Sequence, residues 1–66
     1  MESLMYVDDA GHRYEILSKR RTGHWILYQL DTKVNPWVIR YPDGEMAHFR
    51  TEYDMWKFAL IDKKLF

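Results

Sequence analysis

Residues 36–51 read Pro-Trp-Val-Ile-Arg-Tyr-Pro-Asp-Gly-Glu-Met-Ala-His-Phe-Arg-Thr, two β-rich runs joined by Asp43-Gly44. Asp-Gly suits the backbone of a tight hairpin, so this stretch predicts two antiparallel strands and a turn. Thr51 then stands where a helix cap belongs, with Glu52 and Asp54 in the first turn that follows. A hairpin that runs directly into a helix commits the second half of the chain to an α+β arrangement.

The first half supplies further strand candidates. Leu4-Met5-Tyr6-Val7 is short and ends in Asp8-Asp9-Ala10-Gly11, a group with turn chemistry. His12 to Ser18 alternates imperfectly, and His24 to Leu30 holds Trp25, Ile26, Leu27 and Tyr28 in succession. Pro36 cannot donate to a central ladder and marks the end of the connection from Asp31. The expected fold is α+β: a small antiparallel sheet of three to four strands with one C-terminal helix, about Glu52 to Lys63 or Lys64, packed on it. The competing arrangement is a curled, SH3-like barrel with the helix appended.

At 66 residues the chain is one domain, 1–66. Domains this small bury only about 60% of their unfolded surface. Without cysteine there is no disulfide framework and no thiolate zinc site. Stability must therefore come from a 47% hydrophobic, 17% aromatic composition. No apolar run approaches the length of a membrane span, and no basic-then-apolar leader opens the sequence, so a cytoplasmic location is the default expectation.

A two-residue Asp43-Gly44 loop sets the register: Pro42 opposite Glu45, Tyr41 opposite Met46, Ile39 opposite His48. One face then carries Trp37, Ile39, Tyr41, Met46, His48 and Arg50, the other Val38, Arg40, Ala47, Phe49 and Thr51. Neither is polar, although an open antiparallel sheet normally has one solvated face. The sheet must curl, be covered on both sides, or meet another molecule. Trp37, Tyr41, Met46 and Arg50 are residue types enriched at protein interfaces and form one candidate contact surface.

At about 100° per residue, Met55, Trp56, Ala59 and Leu60 make one helix stripe, with Tyr53 at its edge. Phe58, Ile61 and Leu65 make a second, bordered by Asp54, Lys57 and Asp62. A single helix on a single sheet buries one side only. The second stripe is the other candidate protein-binding surface, for self-association as a homodimer or for a larger partner.

Catalytic and metal chemistry find little to work with. His12, His24 and His48 have no helical i, i+4 spacing, and Ser3 and Ser18 sit in no nucleophile motif. The plainest reading of His48 is a partly buried imidazole beside Ile39. A chain this size scarcely encloses a substrate pocket, so no enzyme activity, cofactor or small-molecule substrate is expected. Lys19, Arg20 and Arg21 could straddle phosphates with Trp25 or Trp37 stacking on bases. However, ten basic and ten acidic side chains cancel, where phosphate-driven binding normally shows a basic excess.

The layout of strands and C-terminal helix, with Trp37, Tyr41, Asp43-Gly44, Phe49, Thr51 and Trp56, resembles the arm-type DNA-binding domains of tyrosine integrases over about half the chain. Those domains lay a sheet in the DNA major groove. Their turn is followed by several lysines or arginines; Glu45, Met46 and Ala47 stand here instead. The departure removes the phosphate contacts that the resemblance implies. The leading expectation is a non-enzymatic protein-binding module, of the small regulator or inhibitor style that phages and mobile elements encode, occupying a surface of a larger partner. Nucleic-acid binding through Lys19, Arg20, Arg21 and the sheet aromatics is the alternative.

Overall fold

The computed structural model describes residues 4–62. Five strands form one antiparallel meander: β1 (Met5–Val7), β2 (Arg13–Lys19), β3 (Trp25–Gln29), β4 (Trp37–Arg40) and β5 (Met46–Phe49). A helix, α1 (Glu52–Lys57), follows and continues as a π-helical turn over Phe58–Asp62. The count exceeds the expected three to four strands because even the three-residue β1 pairs with β2, Tyr6 lying opposite Tyr14. The sheet is open: β1 and β5 are its two edges. The helix begins as the sequence predicts, Thr51 Oγ1 accepting the Asp54 amide at 3.1 Å. Its expected end at Lys63 or Lys64 lies outside the described residues.

Three of the four connections repeat one geometry. In the β4–β5 loop the Tyr41 amide donates to the Glu45 carbonyl and the Gly44 amide to the Tyr41 carbonyl. That encloses three residues, Pro42-Asp43-Gly44, with Gly44 at φ 95°. Such loops pair a type I turn with a residue of positive φ, where a side chain would be strained. The Asp8–His12 and Arg20–His24 loops show the same two bonds, with Gly11 and Gly23 in the same role.

The third loop residue moves the register by one from the expected pairing. Arg40 faces Met46, Ile39 faces Ala47, Val38 faces His48 and Trp37 faces Phe49. A shift of one residue exchanges the faces of one strand relative to the other. Trp37, Ile39 and Tyr41 thus share a side with Ala47 and Phe49, while Met46 and His48 share the opposite side with Val38. His48 is exposed there, not half-buried beside Ile39.

Each sheet face carries a core. On one side α1 lies over β4 and β5, and Met55 and Ala59 are buried with Ile26 and Ile39. Trp56 and Phe58 flank Met55 and Ala59 and close the same core, the Phe58 ring lying tilted against Phe49 with centres 5.1 Å apart. The expected inner stripe was rotated by comparison: Leu60 points outward and Phe58 inward. Met55 and Ala59, four residues apart, form the buried line; Phe58 falls on the side that meets Phe49, and Leu60 stays exposed.

On the other face Tyr14, Leu27 and Val38 are buried beneath Tyr6, Ile16, Trp25 and Met46. No helix of the described residues covers them. A β-bulge between Ile16 and Ser18 breaks the β2–β3 register at Leu17. Such bulges bend and twist a strand. The edge hairpin accordingly folds over the concave side, bringing the Tyr6 ring within 5.5 Å of the Trp25 ring, two strands away. Consecutive residues Ile26-Leu27 and Val38-Ile39 are therefore buried on opposite faces. Full burial of a Leu or Val stabilises by about 1.5–3 kcal/mol, so a flat sheet would forfeit much of a small domain's net stability.

Gly23 and Gly44 offer a direct test of this loop geometry. A methyl group on Gly44 meets no neighbouring atom within 4 Å, whereas one on Gly23 lies 3.0 Å from Pro42 Cγ. Gly44→Ala should lower unfolding free energy by about 1–2 kcal/mol from backbone strain alone. Gly23→Ala should lower it further, as measured by urea denaturation; equal losses would mean the two loops do not pack.

Candidate interaction surfaces

The concave face is organised around charge on aromatic rings. The Arg40 guanidinium lies 4.8 Å from the Trp25 ring centre and 5.4 Å from that of Tyr6, and Lys19 Nζ sits 4.7 Å over Trp25. Arg40 Nε is buried with no hydrogen-bond partner among the described residues. A desolvated cation–π contact is worth about 2 kcal/mol or more, and an unsatisfied buried donor costs about 1–3 kcal/mol. Arg40 makes two such ring contacts, and they offset the cost of its buried Nε while tying β1 to β3 and β4.

This arrangement changes the standing of the basic segment. Lys19 and Arg40 already occupy the Trp25 ring that a base would need for stacking. Arg20 donates to Ser18 Oγ at 3.1 Å, and Arg21 is exposed in its loop. Gly23 abuts Pro42, so the basic loop packs against the β4–β5 loop.

Below β1, a cleft of about 390 Å³ separates the β1–β2 turn from the β4–β5 loop, with Asp8, Asp9 and Glu45 among its lining. Asp8 is already engaged: Oδ1 accepts the amides of Ala10 and His12, and Oδ2 accepts the Tyr14 hydroxyl at 2.9 Å. Partial burial raises its carboxyl pKa, but these bonds and the nearby His12 outweigh that and hold it below its ordinary 3.8. Asp31 is lowered too, by the Arg13 amide and then by the Arg13 side chain, whose Nη2 lies 2.9 Å from Oδ1. Neither carboxyl is shifted toward neutrality as a general acid would require. Among the described residues no three His, Asp or Glu side chains gather as a metal site.

The predicted contact residues separate. Trp37 and Tyr41 pack around the helix-side core, whereas Met46 belongs to the opposite core. Arg50 is exposed beyond the end of β5. These four do not form one surface, because of the three-residue loop. Phe58 is half-buried against Phe49, Ile61 is 63% exposed, and Leu65 lies outside the described residues. The outward helix side instead carries Tyr53 at 72% and Leu60 at 53% exposure, alongside Ile61. Their i, i+7, i+8 spacing places them together, and it is visible in the sequence once Met55 and Ala59 are taken as the inner line.

No helix of the described residues is long and apolar enough to cross a membrane. Tyr14 yields a pH test of the concave core. Burial, then its bond to the Asp8 carboxylate, raises its pKa from 10.0 to about 12. The stabilisation this represents is complete below pH 10 and is lost as pH rises toward 12. For Asp8 and Asp31 the sense is opposite: their contribution is present above pH 3.8 and fades as pH falls below it. Tyr14→Phe should flatten the fall in melting temperature between pH 10 and 12; an unchanged slope would mean that Tyr14 is not its source. Comparison with protein-family models, curated proteins and solved structures finds no match for this chain.

Proposed function

We propose that this chain is a non-enzymatic protein-binding module that contacts a larger partner through the outward side of its helix. The observation that carries the reading is the exposure of Tyr53, Leu60 and Ile61 on an element whose inner side is already filled. Large apolar groups gathered on one helix side are an ordinary docking element, read through i, i+4 and i+7 anchors. Lys57, exposed between them, keeps the patch wettable in the free protein. Nucleic-acid binding is the weaker reading, since Lys19 and Arg40 already lie against the Trp25 ring and the chain carries no basic excess.

Salt and substitution separate the two. Tyr53→Asp and Ile61→Asp should each weaken association with a co-purifying protein at least tenfold, measured by titration calorimetry, while circular dichroism stays unchanged. Raising salt from 50 to 200 mM should alter the affinity little. A steep fall with salt, together with loss of binding in Arg21→Glu and none in Tyr53→Asp, would overturn the proposal in favour of phosphate recognition.

A further inference from the structure

Among the described residues β1 pairs with β2 along one edge and with no strand along the other. In the β1–β2 ladder the Ile16 amide donates to the Leu4 carbonyl and the Asp8 amide to the His12 carbonyl. Hydrogen-bonded and non-bonded pairs alternate along an antiparallel ladder. Leu4, Tyr6 and Asp8 therefore turn their backbone groups toward β2, and Met5 and Val7 turn theirs outward. Each of these two residues presents an N–H and a C=O at an edge that no other described strand covers.

Protein edges are normally protected by lysine, proline, a bulge or a covering element. Residues Leu4 to Val7 carry no charge and no proline, and the bulge lies one strand in, at Leu17. Met5 and Val7 are 48% and 56% exposed, on the side of the sheet where α1 covers only β4 and β5. The other edge, β5, is flanked at Met46 by the cleft facing the β1–β2 turn and carries a histidine outward.

We infer that two copies of the chain associate by antiparallel pairing of their β1 strands about a twofold axis at Tyr6, forming one continuous ten-stranded sheet. In that register Met5 of each copy lies opposite Val7 of the other, and the outward groups form four hydrogen bonds. Apolar side chains meet apolar ones on the convex face. Each cross-strand row then runs Arg13, Val7, Met5, Glu15, a cation at one end and an anion at the other. The dyad sets two such rows in opposite directions, so no like charges face each other. Arg13 is in addition neutralised by Asp31. Three residues per copy make a contact far smaller than the roughly 1,600 Å² of a standard interface, so the dimer is weak and exchanges quickly.

The inference concerns a surface separate from the outward helix side and stands or falls independently of it. Sedimentation over a concentration series from about 10 μM to 1 mM reads it directly. The mass should rise from 8.1 kDa toward twice that value, with new hydrogen-exchange protection at the Met5 and Val7 amides. Met5→Lys and Val7→Lys, both at exposed positions, should hold the chain at 8.1 kDa with its circular dichroism unchanged. Tyr53→Asp should leave the dimer intact. A monomer at every concentration, growth past the dimer through β5, or a dimer lost only in Tyr53→Asp would each overturn the inference.

Discussion

Tyr6 sits over the Trp25 ring and the Arg40 guanidinium, and this contact lets a sheet with one helix bury both of its faces. The demand for it arises in β3 and β4, where Ile26-Leu27 and Val38-Ile39 place apolar groups on alternate sides without a break. One side is met by Met55 and Ala59. The other has no helix among the described residues, and the sheet itself turns over it. The bulge at Leu17 provides the bend, and the cation on aromatic faces sets where the bend stops.

The same curl decides which surfaces are left for other molecules. Aromatic residues that look available in sequence, Trp25 and Trp37 among them, are taken up by the two cores. What stays outside is peripheral, and includes the outward helix side with Tyr53, Leu60 and Ile61 and the β1 edge with Met5 and Val7. The repeated loop geometry contributes as well. It holds the Arg20–His24 loop against the β4–β5 loop at Pro42.

Much of the fold was legible. The strand positions, the helix start at Thr51 and the need for a sheet that curls or is covered follow from alternation, turn residues and capping chemistry. The loop length did not follow from Asp43-Gly44, which suits two- and three-residue loops alike. The discriminating residue was Pro42. In a two-residue loop it would have to donate an amide hydrogen it lacks to Glu45; in the three-residue loop Tyr41 donates instead. That single atom decides whether Met46 joins Tyr41 or Leu27, and with it the candidate contact surface. The helix faces were less legible, because Phe58 and Leu60 are both apolar and only packing on Phe49 chooses between them. The β1 edge was hidden for a different reason: whether a short strand is central or peripheral depends on pairings far along the chain.

The concave core is most directly tested by nuclear Overhauser contacts between the Tyr6 ring and the side chains of Trp25 and Arg40 in the isotope-labelled protein. Strong cross-peaks, with Tyr6 ring protons shifted by the indole, are the expected result. Random-coil shifts for Tyr6 and no cross-peaks to residues in the middle strands would mean that the sheet lies flat, with Leu27 and Val38 open to water.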